Sequence, residues 1–60
     1  MWKFDEYGNA INDETDEEIY SILFPDGLVR VYHDSQIIGV FHNLVDAENF
    51  IHGKVEQMEG

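Results

Sequence analysis

The chain has no cysteine, a single proline and only three basic residues, and each shortage removes a class of explanation. Without thiols, no disulfide staples the fold, and no thiolate binds zinc or attacks a substrate. That economy suits a reducing compartment, so the expected setting is the cytoplasm, or the host cytoplasm for a phage-encoded chain. The start Met1-Trp2-Lys3-Phe4-Asp5 lacks the basic region and apolar run of a secretory leader. No apolar run approaches the roughly 20 residues that a spanning helix needs. With so few bases, nucleic acid and anionic lipid are repelled rather than held, so direct binding to either is not expected.

What the chain has is acid. Thirteen Asp and Glu residues against three Lys and Arg give a formal charge of −10 over 60 residues, and seven of the acids fall between Asp5 and Glu18. Charge alone would suit a disordered chain. Here hydrophobic residues make up 43% of the chain, concentrated after Glu18, and aromatics 13%, which is the composition of a folded chain. One small domain over residues 1–60 is expected, with an acidic connector at 12–18. By the usual scaling its radius of gyration should be roughly 10 Å.

The pattern after the connector is regular. Ile19–Phe24 is β-branched and aromatic and reads as a strand. Pro25-Asp26-Gly27 presets a tight turn, and Leu28–His33 returns as the second strand of a hairpin. Asp34-Ser35-Gln36 turns the chain again into Ile37–His42, with Gly39 a bulge or close-packing point. Asn43 is placed to cap a helix, and Leu44, Ala47, Ile51, Val55 and Met58 recur at helical spacing. The helix is predicted from about Leu44 to His52, with Gly53 as an early end and Gln57 as a later one. The fold class is therefore α+β: a three-stranded antiparallel sheet with one C-terminal helix packed on one face. Trp2 and Phe4 alternate with Lys3 and Asp5, which makes an N-terminal strand the candidate for a fourth.

Strand alternation leaves both faces of the predicted sheet apolar. Tyr20, Ile22, Phe24, Val29, Val31, Ile38 and Val40 are expected on one side, and Ile19, Leu23, Leu28, Tyr32, Ile37 and Phe41 on the other. One helix covers one face. Either the segment holding Trp2, Phe4, Tyr7 and Ile11 covers the second face, or another subunit does, with Leu23, Tyr32 and Phe41 as the self-association residues.

Candidate chemistry centres on the carboxylates. Duplex DNA carries one charge per roughly 1.7 Å of axis, so ten charges match about 17 Å of duplex. Asp13, Glu14, Asp16, Glu17 and Glu18 are the candidate phosphate stand-ins, Asp26 and Asp34 are further contacts at hairpin turns, and Tyr7 and Tyr20 are aromatic anchors. The plainer reading is a solvated connector that aids solubility. Against it, Asp26, Asp34, Asp46, Glu48, Glu56 and Glu59 extend the bias through the folded part and face only Arg30 and Lys54.

In size, charge pattern, lack of cysteine and ordered aromatics, the whole chain resembles the small acidic phage-encoded DNA-mimic inhibitors. The resemblance is at class level, with no shared motif and no residue to carry over. It implies an inhibitor that occupies the basic DNA-binding surface of another protein, such as the nucleoid-associated protein HU, a restriction enzyme, a repair glycosylase or RNA polymerase.

Other chemistry fits less well. An EF-hand needs glycine at its sixth position; a loop starting at Asp5 has Ala10 there and one starting at Asp13 has Glu18. His33, His42 and His52 match no zinc-ligand spacing, so no metal and no cofactor is expected. Thr15, Ser21 and Ser35 lack a nucleophile elbow, and a carboxylate pair such as Asp13 and Asp16 has little room for a closed pocket, so an enzyme is not expected. The competing function is a small homodimerising accessory module whose acids serve only solubility.

Overall fold

The computed structural model describes residues 1–59. They form five strands, β1 (Trp2–Phe4), β2 (Ala10–Asn12), β3 (Glu18–Leu23), β4 (Val29–His33) and β5 (Gln36–Phe41), followed by helix α1 (Leu44–Glu59). The sheet is an antiparallel meander in chain order, β1-β2-β3-β4-β5. The radius of gyration is 11.0 Å. An α+β fold with a C-terminal helix matches expectation. The sheet is larger than predicted, because both halves of the N-terminal segment pair as strands.

The central hairpin fixes the register. In its turn the Phe24 N–H donates to the Leu28 carbonyl at 2.9 Å and the Gly27 N–H to the Phe24 carbonyl at 3.0 Å, with Gly27 at φ 85°. That closure sets Leu23 opposite Val29 and Ile19 opposite His33. Directly opposed residues share a face, so Ile19 lies on the side of Val29 and Val31. This overturns the expected division of faces, which put Tyr20 with Val29. Between β4 and β5 the register shifts at Val31/Tyr32, where Val31 opposes Gly39 but Tyr32 opposes Ile37, leaving Ile38 as the extra residue of a bulge. A Cβ at the neighbouring Gly39 would stand 2.8 Å from the Phe41 ring, so the glycine is needed for close packing.

The first hairpin, β1–β2, is closed by Asp5, whose Oδ1 accepts from the Tyr7 and Asn9 N–H groups at 2.8 and 2.9 Å. Gly8 sits in this turn at φ 83°, and a Cβ there would come within 2.6 Å of Glu48 Cγ on the helix. The β2–β3 ladder is short, and the Asn9 side chain lengthens it by accepting from the Ser21 N–H at 3.1 Å. The N-terminal segment therefore widens the sheet. It does not cover the second face, as one expectation had it.

Helix α1 begins at Asn43, whose Oδ1 accepts from the Asp46 N–H at 2.9 Å as an N-cap. Ala47, Ile51 and Val55 recur every four residues and are buried against Trp2, Ala10, Ile19, Val29 and Val31. Ile38, Phe41 and Phe50 pack around them, with the Phe41 and Phe50 rings 5.0 Å apart. The helix runs past Gly53 because Val55 is drawn into this core, which outweighs a glycine cost of about 1 kcal/mol. All the buried residues lie between helix and sheet. The opposite face of the sheet contributes none.

Two substitutions in the same helix should act in opposite directions. Ile51→Ala removes a fully buried side chain and should cost about 2–5 kcal/mol in urea unfolding. A Cβ at Gly53 meets nothing within 4 Å, so Gly53→Ala should stabilise by up to about 1 kcal/mol.

Candidate functional site

The meander sorts the acids by end. Turns alternate between the two ends of an antiparallel sheet, so the β2–β3 and β4–β5 turns share one end while the β1–β2 and β3–β4 turns share the other. Asp13, Glu14, Asp16, Glu17, Glu18 and Asp34 are thereby brought together at one pole. Asp34 and Glu18 touch directly: the Glu18 N–H donates to Asp34 Oδ1 at 3.1 Å, and the Asp34 N–H to the Glu18 carbonyl at 2.7 Å. The helix returns its last turn to the same pole, where Glu59 Oε1 accepts from the Trp2 N–H at 3.3 Å. That turn carries no basic residue, although the helix's negative end favours one.

Other nominated residues fall elsewhere. Asp26 and Tyr7 lie at the opposite end, in the β3–β4 and β1–β2 turns, because consecutive hairpin turns of a meander point in opposite directions. Tyr20 lies mid-sheet, its ring stacked on Tyr32 at 5.5 Å. The self-association set is also divided. Leu23 and Phe41 share the helix side with Val29, whereas Tyr32 is on the uncovered face.

Several acids have a local task. Asp16 and Asp34 occupy left-handed backbone positions, φ 63° and 59°, which Asp and Asn tolerate better than most residues. Asp26 Oδ1 accepts from the Leu28 N–H at 3.0 Å. Asn12 and Asn43 do the same kind of work without charge: Asn12 Oδ1 accepts from Glu14 N–H at 2.9 Å and Thr15 N–H at 3.3 Å. Turn geometry accepts either amide or carboxylate, so it accounts for the residue shape but not for the charge.

Part of the pole is internally neutralised, which sequence reasoning missed. The Met1 amine donates to Asp13 at 2.7 Å and Glu14 at 2.9 Å, and Lys3 Nζ stands 3.3 Å from Asp13. His33 Nε2 is buried without a hydrogen-bond partner, 3.8 Å from Glu17 Oε2. Among the described residues Asp16, Glu18, Asp34, Glu56 and Glu59 have no ion-pair partner. At the opposite end Arg30 reaches Asp26 at 3.0 and 3.4 Å.

The three histidines take separate surroundings. His33 faces Glu17, His52 stacks on Phe4 at 4.1 Å, and His42 is exposed beyond β5. No three His, Asp or Glu side chains converge on a metal-sized space among the described residues. Phe50, Gly53, Lys54 and Gln57 line an open depression of about 220 Å³ beside the helix. No helix among them is long and apolar enough to cross a membrane. Set against known proteins, the chain matches no family model, no curated protein and no solved structure.

Ion pairing shifts a few groups. The Met1 amine, then Lys3, hold the Asp13 carboxyl below its ordinary range, and Arg30, then the Leu28 N–H, do the same for Asp26. A carboxylate lowered in the folded state adds stability above its unfolded pKa of about 3.9, and that stability is lost as pH falls through the lower folded value. Both pairs are exposed, so the effect is small. On acidification below about pH 4 the thermal midpoint of Asp26→Asn should therefore fall less than that of the wild type.

Proposed function

We propose that this protein is an acidic interaction protein, a DNA-mimic inhibitor whose carboxylate pole occupies the basic DNA-binding surface of another protein. The observation that carries the reading is the convergence on one end of two sheet turns and the helix's last turn, all acidic, where local geometry did not require charge. Like charges held this close raise the energy of the fold. Asn in the turns, Lys at position 56 and Gln at position 59 would satisfy the same local geometry at lower electrostatic cost. A surplus of this kind is repaid on meeting a surface rich in Lys and Arg.

In this mechanism Asp16, Glu17, Glu18 and Asp34 make the first contacts. Asp13 and Glu14 are already held by the Met1 amine, and they contribute as part of the field. Because many charge pairs form at once, association is fast and steeply salt-dependent. Asp26 and Tyr7, at the other end, lie outside this contact.

The test is displacement. Cytoplasmic DNA-binding proteins held on DNA-cellulose at low salt should be released selectively by this protein, and the release should vanish at several-fold higher salt. Asp16→Asn, Glu17→Gln, Glu18→Gln and Asp34→Asn combined should keep the fold by circular dichroism and lose the release. Release that persists in this variant, or that ignores salt, would show the mechanism to be wrong.

A further inference from the structure

His33 ends strand β4 at the acidic pole, and the fold leaves one of its ring nitrogens unused. Nε2 is buried without a hydrogen-bond partner, alone in this among the described side chains. Strand pairing sets His33 opposite Ile19 and Gln36, on the helix side of the sheet. Glu17 Oε2 stands 3.8 Å from Nε2, just beyond hydrogen-bond range. The Glu17 backbone is fixed, its N–H donating to Thr15 Oγ1 at 3.3 Å and its carbonyl accepting from the Asn12 N–H at 2.8 Å. The Glu17 side chain is 41% exposed and has room to turn. Rotation about its own torsions is enough to bring the carboxylate onto the ring.

Every element around the ring brings acid or nothing. The connector supplies Glu17, with Asp13, Glu14 and Asp16 beyond it, and the β4–β5 turn supplies Asp34. Glu18 of β3 lies on the other face, joined to Asp34 through its N–H. Strand β5 carries no charge. The last helical turn, on the ring's side of the sheet, carries Glu56 and Glu59 and no base. The cations of this pole, the Met1 amine and Lys3, are already held by Asp13 and Glu14. The other two histidines have no such setting, since His42 is exposed beyond β5 and His52 is stacked on Phe4.

We propose that His33 and Glu17 form a proton-operated latch inside the acidic pole. A neutral imidazole has one N–H and one bare nitrogen, whereas an imidazolium donates from both. With its single proton on Nδ1, the His33 ring turns a lone pair toward the Glu17 carboxylate, and the two stand apart. A proton taken from solvent at Nε2 makes that nitrogen a charged donor. The gap then closes to a charge-assisted hydrogen bond of about 2.7–2.9 Å. Imidazoles change charge near neutral pH, so the latch works within the range that proteins meet. A consequence for capture rests on the reading of the pole as a DNA mimic. Closing the latch ties Glu17 to an internal cation, as Asp13 is tied to the Met1 amine, and adds a positive charge to the pole. The pole is therefore strongest with the latch open, and acidification weakens its hold on a basic surface.

The latch is tested on the protein alone, by NMR of isotope-labelled chain from about pH 8 to about pH 5.5. In the wild type an exchange-protected His33 Nε2–H should appear on acidification, and the Glu17 carboxylate carbon should shift in step with the His33 ring. In Glu17→Gln the His33 Nε2–H should exchange with solvent as freely as that of His42. A wild type whose His33 ring takes up its proton while the Glu17 carboxylate carbon stays still overturns the latch. So does protection of the Nε2–H that survives Glu17→Gln. Regulation is tested by displacement of proteins from DNA-cellulose at fixed salt. The wild type should need roughly two- to fivefold more protein for half release at the acid end than at the alkaline end, beyond any change shown by His33→Gln. The same pH dependence in both chains, with His33→Gln folded by circular dichroism, overturns the regulatory role. Absence of release at every pH overturns the mimic reading and its regulation together, while the NMR result still decides the latch.

Discussion

One hairpin turn decides where everything else in this molecule lies. Its closure through Phe24 and Leu28 pairs Leu23 with Val29, which puts Ile19, Val29 and Val31 on a common side. Helix α1 lays Ala47, Ile51 and Val55 onto that side, and the core closes there. Every other strand joins in the register this pairing dictates, down to Trp2 and Ala10 at the far edge. A slip of one residue would turn Tyr20 and Ile22 under the helix and expose the present core. The molecule's two unlike surfaces are by-products of that choice: the apolar face is what the helix does not reach, and the acidic pole is where alternate turns end.

The two surfaces differ in how they use charge. At the pole, carboxylates accumulate beside the helix's negative end. On the open face, the cation nearest the centre is folded back onto its own turn by Asp26 and Phe24. Separating them lets one small body carry a strong field without spoiling a neutral apolar surface. The separation follows from topology, because strand residues face outward from the sheet while turn residues collect at its ends.

Much of this order was readable from the residues. The three longer strands, the Pro25-Asp26-Gly27 turn, the Asn43 cap and the helical stripe through Ala47, Ile51 and Val55 all carry strong local signals. Ala10–Asn12 did not, because three residues flanked by turn formers show no periodicity. Its strand character comes from pairing with Trp2–Phe4 and Ile19. The faces were misassigned for a similar reason. Alternation gives two sets within a strand, but which set matches the next strand depends on turn closure and on the extra residue at Ile38, both of them pairing properties. The gathering of Asp34 with residues 13–18 follows from counting turns in a meander. The placing of His33 against Glu17, and of the Met1 amine between Asp13 and Glu14, follows from side-chain reach across strands, which no local pattern encodes.

The bulge at Ile38 has a meaning for the molecule's colloidal behaviour. Strand β5 is an outer strand of six residues, Gln36–Phe41, uncharged along its whole length, the kind of edge that recruits further strands. The extra residue kinks that edge, so an incoming strand cannot keep its hydrogen bonds on both sides of the break. The field of the whole body guards the same edge from a distance. Near the isoelectric point of about 4.2 that second guard is withdrawn, leaving the break at Ile38 as the remaining protection of this edge.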